Sequence, residues 1–355
     1  MNLRKHGTKL HDGARPTGAV PGSTVPGTTR PDAVRPDAVR PDAVRPGAVR
    51  RTGLLLALVT ACISGVAVFL NSYGVKAFGD ATTYTTVKNV VAALVLVALI
   101  GAMSASRRGA VLTRPSRRGQ WAGLAVVGVF GGALAFVLFF EGLALASATD
   151  AAFLQKTLLV WVALLAVPLL GERLGALQVA AIALLVLGQI GLAAGTTTLF
   201  GRGQMMVLGA TLLWAAEVII AKKLLADLSF WTVGLTRMGV GSVVLVAWTL
   251  IRGEGATLTS LTGNQWMWVL VTGVILAGYV STWFAALSRA PAVDVTAVLV
   301  IGAVLTALLA AVVNGKPLAP QLGWVALVLA GAALVAVPGW RSRVALAGPE
   351  GARAT

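Results

Sequence analysis

The stretch "ALASATDAAFLQKTLLVWVALLAVPLLGERL", Ala144 to Leu174, opens on small polar residues, turns apolar, and carries one lysine, Lys156, two helical turns inside the apolar run. Its length decides the fold class: about 20 apolar residues at 1.5 Å each cross the roughly 30 Å of a bilayer core. Similar runs recur from Gly53 to Trp340, and 57% of the chain is apolar against 12% charged. A soluble domain does not have that balance. The runs are apolar all round instead of alternating with a period of two, so a helical bundle is expected and a membrane β-barrel is not.

Ten spans can be drawn: 53 to 71, 83 to 103, 119 to 140, 150 to 170, 174 to 194, 203 to 221, 230 to 251, 266 to 287, 293 to 313 and 320 to 339. The formal charge of +16 is distributed in the manner of a membrane protein and gives no nucleic-acid-binding face. Met1 to Arg51 holds ten Lys or Arg against four Asp, and "RRGAVLTRPSRR", Arg107 to Arg118, adds five arginines between two apolar runs. An inside N-terminus places these, with Arg173, Lys222, Lys223, Arg289, Arg341 and Arg343, in the cytoplasm; only Lys76, Arg202, Arg252 and Lys316 fall on the other side. Both termini are therefore expected to be cytoplasmic, in a multi-pass protein of the cell membrane.

Residues 1–51 repeat a Pro-Asp-Ala-Val-Arg unit and read as a disordered cytoplasmic tail, suited to contact with anionic lipid headgroups. No cleaved leader is expected, since apolar sequence begins only at Gly53. Residues 340–355 form a second cytoplasmic tail. The single cysteine, Cys62, allows no intramolecular disulfide, and both histidines, His6 and His11, precede the apolar region. No metal site or cofactor is expected.

Aligned without gaps, Leu143–Leu174 and Leu287–Leu318 match at eleven of thirty-two positions, with Asp150 on Asp294 and Gly171 on Gly315. Two five-span repeats follow, 52–195 and 203–339, and an odd number of spans per repeat inverts the second in the membrane. Inverted repeats are a common plan among secondary transporters, with the solute held near the bilayer midplane.

The segments "LFFEGLALASATDAAFLQKT" and "PLLGERLGALQVAAIALLVLGQIGL" resemble the EamA domain of the drug/metabolite transporter superfamily, in which a Gly-Glu-Arg-Leu turn joins the fourth and fifth helices of each half. The resemblance spans roughly 53 to 339. It implies a ten-helix secondary transporter, often an exporter of metabolites, amino acids or drugs. The second copy reads "GKPL" at Gly315 to Leu318, so Glu172 and Arg173 are given a structural role at the turn, with Gly171 and Gly315.

An ionisable group within a span costs about 3 kcal/mol on insertion scales and usually faces a bundle interior or a wet cavity. Glu141, near the end of the third span, and Lys156, about 9 Å into the fourth, reach similar depth and are expected to pair or share a cavity. Gln155, Thr157 and Trp161 extend that polar and aromatic surface. Lys88 and Arg237 occupy corresponding places in the second helix of each half, matching a basic position common in the resembled family, with Tyr84 and Asn89 beside Lys88. Glu217, about 21 Å along the sixth span, is the candidate proton carrier, with Arg237 as its structural rival partner. Asp150 and Asp294 begin the fourth spans and are expected to cap them. Gly128 and Gly132 form a GxxxG pair suited to close helix packing.

The partners implied are a small-molecule substrate, the bilayer and, as a candidate coupling ion, protons. No Walker A sequence is present. Two other classes carry less of the sequence: an intramembrane enzyme, against which stand the lack of "GxSxG" and "HExxH", and a non-transporting scaffold acting through the tail.

Overall fold

The computed structural model describes residues 46–106, 111–193, 201–313, 315 and 322–336. The repetitive tail up to residue 45, Arg107, Arg108, Lys316 and the C-terminal tail lie outside the described residues. Eight helices are long and apolar enough to cross a membrane: α1 Ala48–Phe78, α2 Ala81–Ser106, α3 Arg118–Leu145, α4 Ala148–Leu170, α6 Arg202–Leu224, α7 Phe230–Ile251, α8 Gly263–Leu287 and α9 Ala292–Val313. Two shorter apolar helices, α5 Ala176–Ala193 and α10 Leu322–Ala336, stand where the fifth and tenth spans were expected. The helix of α1 begins at Pro46, seven residues ahead of the expected first span, so Arg50 and Arg51 are helical. Proline suits the first turn of a helix, where its missing N–H has no partner to lose.

Side chains such as Ile251, Val243 and Leu55 are 79%, 70% and 64% exposed. In hydrocarbon such faces carry no penalty, because helices satisfy most backbone hydrogen bonds within themselves.

The two halves do not pack as separate bodies. The most extensive contacts run between them: α1 with α8 and α9, α2 with α7 and α8, α3 with α6 and α7, α4 with α6 and α9, and α5 with α10. Exchanging each helix for its counterpart five places on maps this set onto itself. The α1–α8 contact becomes α6–α3, α2–α8 becomes α7–α3, α1–α9 becomes α6–α4, and α2–α7, α4–α9 and α5–α10 become themselves.

Local detail follows the same relation. Both fourth helices are broken by a tight turn near the same place: α4 at Thr157, whose hydroxyl donates to the Leu154 carbonyl at 2.6 Å, and α9 at Val300, whose N–H reaches Ala297 O at 3.2 Å. Gly171 ends α4 with φ +68° and Gly315 has φ +64°, a left-handed conformation that costs glycine little.

α3 contains a π-helical stretch, Val127–Leu134, with three glycines. A methyl group added at Gly132 would strike the Arg237 carbonyl, and one at Gly241 would strike the Gly132 carbonyl. α3 and α7 thus cross backbone to backbone.

Candidate functional site: a charged, aromatic-walled cavity

The centre of the bundle holds a cavity to which both halves contribute. Its polar wall is Ser64 and Asn71 from α1, Lys88 from α2, Gln155 from α4, Glu217 from α6, Arg237 from α7 and Thr272 from α8. Its rings come from Phe136, Phe139 and Phe140 of α3, Trp214 of α6, and Tyr279 and Trp283 of α8. One pair of lining residues are counterparts in the repeat alignment, Gln155 with Leu299.

Glu217 and Arg237 form a two-point ion pair, Arg237 Nε donating to Glu217 Oε1 and its second nitrogen to Oε2 at 3.1 Å. Both side chains are about 5% exposed. Two parallel N–H···O bonds fix the plane of each group, a geometry arginine offers and lysine does not. The Arg237 guanidinium also lies 4.9 Å from the Phe136 ring centre.

Lys88 is 1% exposed, and its ammonium sits 3.3 Å from the Phe140 ring centre, 5.0 Å from Tyr84 and 5.6 Å from Phe136. Its contacts are cation–π contacts, and no hydrogen-bond acceptor meets it among the described residues. Tyr84, expected in the pathway, stands behind the wall: its hydroxyl donates to Asn71 Oδ1 at 2.5 Å and bonds with Thr272 Oγ1 at 2.9 Å. It holds two lining residues and forms part of the seat of Lys88.

Lys156 does not pair with Glu141. Its ammonium donates to Ser64 Oγ at 2.7 Å and Gln155 Oε1 at 2.8 Å, so it braces two lining side chains of different helices. Glu141 accepts from Thr82 Oγ1 at 2.8 Å instead. Similar depth was not enough, because the two side chains lie on faces turned toward different neighbours. Trp161 is outside this cavity, its indole N–H directed at Thr157 Oγ1 at 3.3 Å.

The capping expected of the two aspartates falls to other groups. Ser147 caps α4 by accepting the Asp150 N–H at 3.0 Å, leaving Asp150 one turn inside. At α9 the cap is Glu172, which accepts from the Ala292 and Val293 N–H groups at 2.7 and 3.2 Å across the boundary between halves. Asp294, 1% exposed, is paired with Arg50 and with Gln178 Nε2 at 3.3 Å. Lys222 donates to the carbonyls of Leu287 and Ala290 at 2.6 and 2.7 Å. These groups tie α1, α5, α6, α8, α9 and the α4–α5 turn together at one end of the bundle.

Sequence reasoning missed Ser64, Asn71, Thr272 and the phenylalanine wall. A signal existed for the first two: they lie seven residues apart, two turns on one face of an otherwise apolar helix.

A bundle of apolar helices drawn from two interleaved halves around a buried, charged cavity defines a multi-pass membrane transport protein. The chain belongs to the EamA-like transporter family, whose profile matches residues 51–194 and again 201–337; its members are transporters, not enzymes. A solved structure described as "Crystal structure of protein" shares the fold with TM-score 0.58 at 20% identity, over 79% of this chain and 98% of that chain. No curated protein matches in sequence.

Proposed function

We propose that this protein is a secondary transporter that moves small metabolites, amino acids or drugs out of the cell by alternating access. The carrying observation is the cavity itself, whose charges Lys88, Glu217 and Arg237 come from three helices and both halves. Ten spans in two inverted repeats, with cytoplasmic termini, would put the Arg50–Asp294 cluster on the cytoplasmic side, where it closes one end. Release of that cluster would accompany opening inward. The outward direction is taken from the family likeness, and the basic tail would rest on anionic lipid.

Glu217 is the one carboxylate in the cavity wall among the described residues. A proton on it would dissolve its ion pair and leave the Arg237 guanidinium free toward the cavity, which couples proton and solute movement in one step. The test is solute flux in liposomes containing the purified chain, with and without an imposed pH gradient. Gradient-driven flux with wild type and none with Glu217→Gln supports the reading. Equal flux from both variants removes Glu217 from the cycle, and a scaffold would show no flux in either.

A further inference from the structure

The charges lining the cavity do not balance, and the imbalance resides on one atom. Arg237 and Glu217 satisfy each other at two points, so neither the guanidinium nor the carboxylate is unmatched. Lys88 has only ring faces around its ammonium. Three N–H donors in a low-dielectric site call for an anionic acceptor, and the one carboxylate of the wall among the described residues, Glu217, is held by Arg237. Asn71 adds to this demand. Its carbonyl oxygen is occupied by Tyr84, while its amide nitrogen, a donor, has no partner among the described residues.

The same inventory states what the site lacks. A solute ammonium would need a free carboxylate, and both Glu217 oxygens are held by Arg237. Glu141 is bound by Thr82 and lies outside the wall. A dianion would need a second free cation, and with the ion pair formed Arg237 is held by Glu217. Phe136 and Phe140 face the ammonium, and Phe139, Trp214, Tyr279 and Trp283 also line the cavity. Flat apolar bodies pack well there.

We infer that the solute is an organic monoanion with an aromatic body, its anionic group on Lys88 and Asn71 and its ring among the cavity aromatics. This rests on the transporter reading and narrows it, setting organic anions above zwitterionic amino acids and cationic drugs. The ammonium keeps its place on Phe140 when the site is empty and gains an ionic partner when it is filled. Lys88 is then the residue that distinguishes solute charge.

Three probes share a phenyl ring and a short chain but differ in fixed charge: 3-phenylpropane-1-sulfonate, (3-phenylpropyl)trimethylammonium and phenylalanine. Each would be followed by counterflow into liposomes carrying the purified full chain. The sulfonate is expected to enter at least tenfold faster than the other two, to fall to the protein-free rate with Lys88→Met, and to recover with Lys88→Arg. Faster entry of the cation or the zwitterion overturns the inference while leaving a transporter in place, and this comparison needs no variant to fold. Wild-type sulfonate flux through a monodisperse Lys88→Met protein overturns it as well. Entry of none of the probes overturns the inference, while the transporter reading stands or falls on its own pH-gradient flux test.

Discussion

Arg50 and Asp294 stand 244 residues apart in sequence and 2.9 Å apart in space, joining the first helix of one half to the fourth helix of the other. Arg50 also donates to the Val335 carbonyl at 3.0 Å, so one guanidinium holds α1, α9 and α10. Removing it leaves a carboxylate 1% exposed without its cation. Breaking a buried pair from one side costs about 3 kcal/mol or more, and the arginine's partial exposure puts this case near the lower end. Arg50→Met is expected to lower the apparent melting temperature of the detergent-solubilised protein. Adding Asp294→Asn should restore part of the loss, because the unpaired charge goes with it. A double variant no better than Arg50→Met would show that the pair does not hold the helices.

The Glu217–Arg237 pair is the more deeply enclosed. Glu217→Gln keeps the shape of the side chain but leaves Arg237 unmatched in the cavity. Transport is expected to drop at least tenfold, and Arg237→Met should reduce the yield of monodisperse protein further, since it strands a carboxylate. The double variant Glu217→Gln, Arg237→Gln should recover yield without recovering transport. Size-exclusion profiles and liposome flux, measured together, separate the two effects.

The α3–α7 crossing gives a steric prediction. Gly132→Ala or Gly241→Ala places a methyl against a carbonyl that belongs to a rigid helix. Forcing such a contact costs about 1–3 kcal/mol. Gly101, with nothing within 4 Å of an added methyl, is the control. Gly101→Ala should leave thermal stability unchanged or slightly raised, as alanine favours helix over glycine by about 1 kcal/mol. Equal melting temperatures for all three variants would contradict the crossing.

At the start of α4, Ser147 and not Asp150 performs the capping. Ser147→Ala is expected to cost about 1 kcal/mol. Asp150→Ala should cost only the dipole interaction, about 0.3–1 kcal/mol. Hydrogen exchange at the amides of residues 149–151 resolves the two: protection should fall more in the serine variant.

The helices were legible because an apolar run long enough to span a bilayer is a strong signal, and the repeat was legible because aspartate is scarce in such runs. Their ends were less so. α3 runs to Leu145, five residues past the expected end, because nothing polar interrupts "LFFEGLAL" except Glu141, which Thr82 accommodates. The cavity residues Lys88, Glu217, Arg237 and Gln155 stood out as charges or amides in apolar sequence. Lys156 stood out equally, yet it braces the wall from behind. Which helix packs on which could not be read. In a soluble helix the apolar stripe marks the buried face, whereas here lipid and core are both apolar and the stripe disappears. The phenylalanine seat of Lys88 was hidden for the same reason.

The exchange relation gives each helix of one half a counterpart with matching neighbours in the other. Contacts that map onto themselves when the halves trade places are those two copies of a single five-helix unit would make. Within one chain the two halves differ at the cavity: α2 supplies Lys88 where α7 supplies Arg237, and glutamine at 155 aligns with leucine at 299. A homodimer must present every group twice. This chain could give up that duplication, keeping one cation bound to a carboxylate and the other unclaimed.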